Sequence, residues 1–534
     1  MAGITERDQL WQKLVSSNAD YDAVIVGGGI TGVGILREAA RLGIKALLLE
    51  QKDYAWGTSS RSSKMVHGGL RYIAQGDISL TRHSVQERER LIEEAPGLIE
   101  RMGYLFTIRK GQIPGKLMFN GLLKVYDSLA GIKTANYYDK KQLLGKVPGL
   151  NDKNLKGASY YTDAVTDDAR LVLRVLQEAI SAGGEAGNYL AVEDLQRDEQ
   201  GNVNGLVIRN QETGETTTIN TKVVINATGA WVDYLREKIS GKRTIRPLRG
   251  SHIVIPRQLA PVNDALTLFH PDDKRPVFVF PWEGATIIGT TDLDHSGDLN
   301  QDPGISQQEL DYLLNVARSQ FPTAAINSGN IISTWAGVRP VISTNMSKDP
   351  SKEKRDHSVW VDKGLVSVSG GKLTTFRLIA IDTLKAAQPF IGISHTQPKS
   401  DTIISPATVP PEKVFNQDIE WARRMLGRYG DCAKEMLDAS SETEQQRIGN
   451  TLFCLAELRW AARHESVVHL DDLLLRRTRL GNLLEKGGAE LLEDNSSLHS
   501  ICQQELSWDE TRWQQEKTRY LELWKTSYYL PNPE

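Results

Sequence analysis

Three glycines at a fixed spacing are the first residues in this chain whose pattern implies chemistry. Gly27, Gly29 and Gly32 form a Gly-x-Gly-x-x-Gly run. The first glycine permits a sharp turn, the second lets a phosphate approach the backbone, and the third lets a helix pack closely on its strand. Glu50 follows about 20 residues later, where a carboxylate accepts hydrogen bonds from ribose hydroxyls. The pattern predicts a dinucleotide-binding site.

The segments around the glycines supply the elements that such a site requires. An apolar run at residues 21–26 precedes them, and a helical pattern extends to Leu42 before Gly43. A second apolar run at residues 45–49 ends in Glu50. This strand, turn, helix and strand order predicts a Rossmann-type opening, with phosphates at the helix N-terminus.

Composition limits the remaining function classes. The 534 residues carry 64 basic and 67 acidic side chains, a formal charge of -3, which argues against a nucleic-acid-binding surface. Cys432, Cys454 and Cys502 lack CxxC spacing, so neither a disulfide framework nor a metal site is predicted, and a reducing compartment is expected. We find no signal-peptide pattern and no apolar run of about 18 residues, the length that a membrane-spanning helix needs.

Later segments predict two sheets. Residues 223–229 and 365–372 are apolar runs that end in glycine-containing turns, and both are expected to join the opening sheet. Residues 251–256, 277–281 and 286–291 are strand-like and separated by turn residues, which predicts an inserted antiparallel sheet. The substrate pocket is expected between the two sheets.

The end of the chain is different, because strand signals become rare after about residue 398. Helical patterns at residues 418–429, 442–464 and 470–484 predict a separate helical cap.

A segment with mixed basic and apolar residues lies earlier in the chain. Residues 80–102 predict a charged amphipathic helix, and residues 105–133 then interleave lysine and arginine with leucine, methionine and phenylalanine. Two interpretations of the second stretch stay open. It is a membrane-surface segment, or it is a packed helical hairpin whose lysines face water.

Residues 58–72, TSSRSSKMVHGGLRY, resemble the flavin-binding segment of FAD-dependent glycerol-3-phosphate dehydrogenases. Arg61 departs from this pattern, because some family members have a small residue there. Further matches follow in family order at residues 163–171, 226–229, 250–254, 289–292, 337–340 and 370–375.

The resemblance implies an α/β fold with a Rossmann-type FAD-binding domain, an inserted antiparallel-sheet substrate domain of the glucose/D-amino-acid oxidase-like superfamily, and a C-terminal helical cap. The expected FAD-binding domain comprises residues 20–90, 150–245 and 330–397. The expected substrate-binding and membrane-facing domain comprises residues 91–149 and 246–329, and the cap comprises residues 410–525.

FAD is the cofactor that the resemblance implies. A helix that opens after Gly371 and Lys372 would direct its N-terminus at the flavin, where negative charge accumulates on reduction. The implied cofactor-binding residues are Gly27, Gly29, Gly32, Glu50, Thr58, Ser59, Ser63, Lys64, His67, Gly68, Gly69, Thr228, Gly229, Gly371, Lys372 and Thr374.

The resemblance also implies oxidation of sn-glycerol 3-phosphate to dihydroxyacetone phosphate by hydride transfer from C2 to flavin N5. His252 is then the expected base, and Lys372 and Arg339 complete the catalytic set. Substrate binding is assigned to Arg71, Tyr72, Arg339 and Thr375. No metal is expected.

The expected electron acceptor is a membrane quinone, which places the protein in the cytoplasm, on lipids at the inner face of the membrane. A homodimer is possible. Three alternatives stay open: a glycerol-3-phosphate oxidase that uses O2, an amine or amino-acid oxidase of the same superfamily, and a non-catalytic membrane-docked flavoprotein.

Overall fold

The computed structural model of the protein describes residues 7–16, 20–74, 77–241, 243–343, 356–392, 402–415 and 418–531. Within these ranges it does not describe the side chains of Arg71 and Ala74. The expected phosphate contact of Arg71 therefore lies outside the described side chains.

The described strands all belong to two sheets. They are β1 (Asp20–Val26), β2 (Ala46–Leu49), β3 (Met65–Val66), β4 (Ile99–Arg109), β5 (Asn136–Asp139), β6 (Leu155–Thr166), β7 (Glu185–Gly187), β8 (Leu190–Arg197), β9 (Val203–Asn210), β10 (Thr216–Asn226), β11 (Ile245–Pro256), β12 (Ala265–Phe269), β13 (Pro276–Trp282), β14 (Ala285–Gly289), β15 (Leu293–Asp294), β16 (Ser333–Ile342), β17 (His357–Asp362) and β18 (Leu365–Gly370).

Helices connect and cover these strands. They are α1 (Arg7–Ser16), α2 (Ile30–Arg41), α3 (Leu70–Ala74), α4 (Ile78–Glu94), α5 (Lys116–Ala130), α6 (Lys140–Lys146), α7 (Asp168–Ser181), α8 (Val232–Ser240), α9 (Gln307–Gln320), α10 (Phe376–Ile391), α11 (Ile419–Tyr429), α12 (Cys432–Asp438), α13 (Leu455–His464), α14 (Leu470–Asp472), α15 (Leu480–Leu483), α16 (Ser497–Leu506) and α17 (Glu510–Ser527). Among the described residues, no helix has the length and apolarity to cross a bilayer.

The nucleotide sheet has the strand order β17-β18-β10-β1-β2-β7, and β8 and β9 extend it beside β10. β1 lies between β10 and β2 and pairs in parallel with both. Both of its faces are covered: Ile25 packs towards Val33 of α2, and Val24 packs towards Leu10 of α1. Burial on two faces explains why β1 is an uninterrupted apolar run. The predicted Rossmann opening is confirmed.

The second sheet has the order β15-β11-β14-β13-β12-β4-β6-β3, with β16 beside β11 and β5 beside β6. It is mainly antiparallel, and the three strand-like segments predicted for it fall in β11, β13 and β14. The strands β6 and β16 also belong to it, although the sequence analysis grouped their residues with the nucleotide-binding domain. Apolar alternation identifies a strand but does not specify the sheet that it joins.

Two helical expectations before residue 134 need correction. The helix expected over residues 80–102 ends at Glu94, and β4 begins at Ile99. The interpretation of residues 105–133 as a helical hairpin is wrong, because β4 continues to Arg109 and a single helix, α5, follows. Phe106 and Leu123 pack inward from this segment.

The cap forms a largely helical unit, which we call the C-terminal unit (residues 418–531). The helix expected over residues 418–429 is present as α11, but the one expected over residues 442–464 forms only from Leu455. Residues 470–484 do not form one continuous helix, since a π-helical turn at Leu473–Arg477 separates α14 from α15.

Buried ion pairs join the C-terminal unit to the nucleotide-binding part. Arg477 binds Asp53 through two nitrogens at 2.6 and 2.8 Å, and Arg476 binds the same carboxylate. Burial opposes ionisation of Asp53, but the two arginines outweigh it and hold its pKa below the ordinary value. All three side chains are at most 1 % exposed.

A second group of buried charges forms around Asp167 and Asp168. Arg479 binds Asp167 at 2.8 Å and Asp168 at 2.5 Å, and Arg428 binds Asp167 at 3.0 Å. Asp167 also accepts a hydrogen bond from the Arg170 N–H at the start of α7. Charges from both parts of the chain therefore meet inside one low-dielectric interface.

Replacing Asp53 by alanine is expected to destabilise the protein by about 3–5 kcal/mol, because two buried guanidinium groups lose their shared carboxylate. Chemical denaturation followed by tryptophan fluorescence measures this change. The control is Asp152→Ala, which removes the partner of exposed Lys140 at 2.9 Å and is expected to leave the midpoint unchanged. Equal midpoints for the two variants would contradict the stabilising role of Asp53.

Candidate active site

A cavity of about 1200 Å³ lies at the ends of the nucleotide-sheet strands. It extends from the turn after β1, past the end of β2 and the loop at residues 56–62, to the turn after β18. The carboxyl ends of parallel strands are where open α/β sheets bind nucleotides.

Backbone conformation explains the glycine run. Gly27 has a φ of +112°, which side chains disfavour, and a Cβ on Gly32 would overlap the Gly27 carbonyl oxygen. Gly29 precedes α2 and has no side-chain cap, and it lines the cavity. The Ser59 hydroxyl accepts a hydrogen bond from the Ile30 N–H at 3.0 Å. The N-terminus of α2 is thus directed at the cavity, as phosphate binding requires.

Glu50 is held at the end of β2 by backbone groups. Its carboxylate accepts hydrogen bonds from the Gly28 N–H at 2.6 Å and the Lys52 N–H at 2.9 Å. Burial raises the pKa of Glu50, although both hydrogen bonds act in the opposite direction. The side chain lines the cavity, so its position fits the ribose contact that the sequence predicts.

The cavity wall contains many of the predicted cofactor-binding residues. Those that line it are Gly27, Gly29, Glu50, Thr58, Ser59, Thr228, Gly229, Gly371 and Lys372. Gly32 lies beneath the turn. The remaining predicted residues do not line the cavity; they are Ser63, Lys64, His67, Gly68, Gly69 and Thr374.

Lys64 does not line the cavity. Its ammonium donates to Asp168 at 2.7 Å and to the Ser60 carbonyl at 2.6 Å, and it lies 4.8 Å from the Trp335 ring centre. Burial and the neighbouring Arg479 lower the pKa of Lys64 to about 8. The Lys64 ammonium thus forms a buried ion pair with Asp168, and its expected contact with the flavin stays a prediction.

The loop from His67 to Gly69 is fastened by its backbone. The His67 N–H donates to the Thr374 hydroxyl at 3.0 Å, and that hydroxyl donates back to the His67 carbonyl. The Gly68 N–H donates to the Tyr126 hydroxyl at 2.9 Å. Gly69 has a φ of +78°. The loop is thereby held beside the turn that precedes α10.

His252 lies on β11, opposite Trp335 of β16. Its Nε2 atom is 2.9 Å from the Ser63 hydroxyl, and its ring stacks on Trp335 with 4.9 Å between ring centres. The side chain is 1 % exposed. Burial, Arg339 and Lys64 lower its pKa well below the ordinary value, so the imidazole is neutral at physiological pH.

Two cationic side chains belong to segments that contact the loop at residues 58–69. Arg339 donates to the Thr290 hydroxyl at 3.2 Å and lies 3.6 Å from Asp292. Lys372 lines the cavity, donates to the Ser84 hydroxyl at 3.2 Å and lies 3.7 Å from the Tyr72 ring centre.

His252, Arg339 and Thr375 are not part of the cavity wall. The strand register places Gly250, Gly337 and Arg339 on the same face of the second sheet as His252. Thr375 is buried in the turn before α10. The structure thus brings His252 close to Arg339, and Lys372 close to Tyr72.

Comparisons with known proteins find matches along almost the whole chain. Residues 22–380 match the family model described as FAD dependent oxidoreductase, and residues 403–513 match the C-terminal domain of alpha-glycerophosphate oxidase. The aerobic glycerol-3-phosphate dehydrogenase of Staphylococcus haemolyticus is 34 % identical over 486 residues, which are 86 % of this chain and 87 % of that protein.

The chain belongs to the aerobic glycerol-3-phosphate dehydrogenase family.

A solved member of this family has the same fold. The glycerol-3-phosphate dehydrogenase of Bacillus halodurans, in complex with FAD, is 28 % identical with a TM-score of 0.78 and covers 99 % of this chain and 98 % of that one. The L-alpha-glycerophosphate oxidase of Mycoplasma pneumoniae shares the fold at 18 % identity and a TM-score of 0.56, over 72 % of this chain and 98 % of that one.

Membership of the family makes the protein an FAD-dependent oxidoreductase. The cavity fits this cofactor, because a helix N-terminus and Glu50 occupy one region of it and the glycine turn after β18 occupies another. The predicted fold class and cofactor are confirmed.

Several cavity residues were missed by the sequence analysis. Lys52, Trp56 and Trp231 line the cavity, and the two tryptophan rings lie 5.3 Å apart. Asn300 and Arg519 line it from distant segments. Trp231 lies two residues after Gly229 and could have been predicted as a cavity residue from that turn. No local pattern identifies Asn300 or Arg519 as cavity residues.

Arg61, which departs from the family pattern, has a structural explanation. Its guanidinium is buried, donates to the Trp56 carbonyl at 2.6 Å and pairs with Asp302, and its Nε donates to the Tyr528 hydroxyl at 3.0 Å. Arg61 thereby joins the loop at residues 56–62 to Tyr528.

Replacing Gly32 by alanine is expected to abolish FAD binding, because the new Cβ overlaps the Gly27 carbonyl and displaces the phosphate-binding turn. Flavin absorption of the purified protein measures the cofactor content. The control is Gly43→Ala, where nothing lies within 4 Å of the added Cβ and a φ of +74° causes only local strain. A Gly32→Ala variant that retains FAD as fully as the control would contradict this interpretation.

Proposed function

We propose that this protein oxidises sn-glycerol 3-phosphate to dihydroxyacetone phosphate and passes the electrons to a membrane quinone. The observation that carries the proposal is a neutral, buried histidine that shares a sheet face with an arginine and contacts Ser63, in the loop whose residues 58, 59 and 62 line the cavity. An alcohol oxidation needs a base for the hydroxyl proton, and a phosphate ester needs a cation. His252 and Arg339 supply these two groups.

His252 is suited to accept the alcohol proton. Its pKa lies well below the ordinary value of about 6.5, so it is unprotonated throughout the neutral range. The Ser63 hydroxyl and the Trp335 ring fix its orientation. The nearby cations Arg339 and Lys64 oppose a lasting imidazolium, which favours onward release of the proton. Because His252 acts as the base in its unprotonated form, activity is retained at neutral pH and is lost only as the pH falls below the lowered pKa of His252.

Three cationic residues are assigned different contacts with the substrate. Arg339 is 24 % exposed and presents a fork suited to a phosphate, beside the Thr290 hydroxyl. We assign to Lys372, which lines the cavity, the stabilisation of the alkoxide that forms as the hydroxyl proton leaves. Arg71 is assigned to the phosphate and Tyr72 to a hydroxyl contact, as the sequence predicts. FAD, when bound, supplies the hydride acceptor.

A His252→Gln variant is expected to bind FAD normally but to lower the rate of substrate oxidation about 10²–10⁴-fold, the usual contribution of a general base. Stopped-flow bleaching of the flavin by glycerol 3-phosphate without oxygen measures that step.

The control is His270→Gln, which changes another buried histidine that stacks on an aromatic ring, Tyr312, at 3.8 Å. Wild-type bleaching by the His252 variant would exclude it as the base. A wild-type protein that glycerol 3-phosphate does not bleach would exclude the substrate.

The quinone acceptor is supported by a surface at the start of α5. Ile113, Leu117 and Met118 are 85 %, 89 % and 60 % exposed, far more than a soluble surface usually leaves in one group of apolar side chains. Exposed Lys110 and Lys116 flank them. Apolar side chains beside lysines suit an anionic bilayer surface, from which a quinone is accessible. We therefore propose a peripheral position at the inner face of the membrane, and this surface favours the dehydrogenase over the oxidase alternative.

Replacing Leu117 by aspartate is expected to weaken binding to vesicles of anionic phospholipid by roughly tenfold or more, because it removes apolar contact and adds repulsion. Cosedimentation measures binding, and reoxidation of the reduced flavin by a quinone in the same vesicles measures the acceptor step.

The control is Val15→Asp, an exposed apolar residue on α1. Both vesicle binding and quinone reoxidation are expected to fall for Leu117→Asp alone. Rapid reoxidation by air with formation of peroxide, in wild-type protein, would support the oxidase instead.

A further inference from the structure

The cofactor cavity has a wall that neither matched family domain includes. Arg519, Leu523 and Thr526 of α17 line the cavity. The matched FAD-dependent oxidoreductase domain ends at residue 380, and the matched C-terminal domain ends at residue 513. Residues of α17 that lie beyond both matched domains therefore contribute to the cofactor cavity.

We propose that α17 forms the outer wall of the ADP half of the FAD site and that Arg519 is an FAD-binding residue. The inference needs only FAD as the cofactor and does not depend on the identity of the substrate or the electron acceptor.

The neighbours of Arg519 indicate the ADP half, because its partner Asp471 lines the cavity and precedes Asp472, which Tyr189 contacts. Tyr189 donates its backbone N–H to the Lys52 carbonyl at 2.8 Å and its hydroxyl to Asp472 at 2.7 Å. Tyr189 and Lys52 line the same cavity. Lys52 lies two residues after Glu50, the predicted ribose ligand. The cavity surface near Arg519 is thus the region assigned to the adenosine ribose.

The chemistry of Arg519 suits that position. Its guanidinium binds Asp471 at 2.5 Å, and the same carboxylate is bound by Arg476 at 2.7 Å. The Arg519 side chain remains 41 % exposed, although its pKa is raised by nearby acids against the effect of burial. Asp471 orients the planar fork, whose other N–H groups suit phosphate or ribose oxygens.

Three hydrogen bonds from residues of the helix hold it in place. The Trp524 indole donates to the Gly481 carbonyl at 2.7 Å, and the Tyr520 hydroxyl donates to the Gly487 carbonyl at 2.7 Å. Ser527 donates to the Asp302 carbonyl at 3.0 Å, which joins the end of α17 to another segment of the cavity wall. Substitutions at Thr526 or Arg519 leave these contacts intact.

Two pairs of variants of the full-length protein test the proposal. Thr526→Trp places a large ring in the cavity, and Lys525→Trp places the same ring on the exposed side of α17. Arg519→Met removes the proposed cation, and Arg512→Met removes an arginine of the same helix that pairs with Glu516 at 3.1 Å.

Each protein is stripped of flavin reversibly and titrated with FAD alone, with quenching of flavin fluorescence as the readout. Thermal denaturation with and without FAD gives a second, independent measure. We expect Arg519→Met to weaken FAD binding roughly tenfold, the usual effect of losing one charge-assisted hydrogen bond, and Thr526→Trp to weaken it at least as much. The two controls are expected to match the wild type.

Wild-type FAD affinity in both cavity variants would overturn the proposal. Equal loss in a cavity variant and its control would also overturn it, because the effect would then come from helix stability. One cavity variant adds a large ring and the other removes a charge. If one of them misfolds, the other still tests the proposal. No substrate is present in these titrations, and their outcome is therefore separate from the test of glycerol 3-phosphate oxidation.

Discussion

The structure depends on carboxylates that are buried in the nucleotide-binding part and neutralised by arginines of the C-terminal unit. Asp53 and Asp168 lie next to the two loops that form the cofactor cavity, one after Glu50 and one against Ser62. A buried carboxylate without a partner costs several kcal/mol, so these loops keep their positions only while the arginines are docked. The helical unit is thus part of the flavin site, although it contributes no strand to either sheet.

Local sequence patterns predicted the features of the site that depend on local backbone geometry. The glycine run, Glu50 and the turn at Gly371 are fixed by backbone conformation within a few residues, and each lines or supports the cavity. The strand at β11, with His252 in it, was likewise predicted from apolar alternation. These features follow from rules that act between neighbouring residues.

The features that were missed come from contacts between distant segments. Lys64 was expected among the cofactor-binding residues, and the structure adds a partner that no local pattern indicates, because Asp168 lies 104 positions later and binds its ammonium. Arg61 meets Tyr528 across 467 positions, and no periodicity encodes that encounter. The break in the helix expected over residues 470–484 has a related cause, because Arg476 and Arg479 of that segment point into buried acids instead of following one amphipathic face.

The order of these charges along the chain has a consequence for synthesis. Asp53 leaves the ribosome 423 residues before Arg476, and domains of a growing polypeptide generally begin to fold from the N-terminus. During that interval the carboxylate has no arginine partner and must stay hydrated, which keeps the loop after β2 from closing. The nascent nucleotide-binding part therefore completes its folding only after translation has passed Arg477, and a product terminated before that residue would lack a finished flavin site.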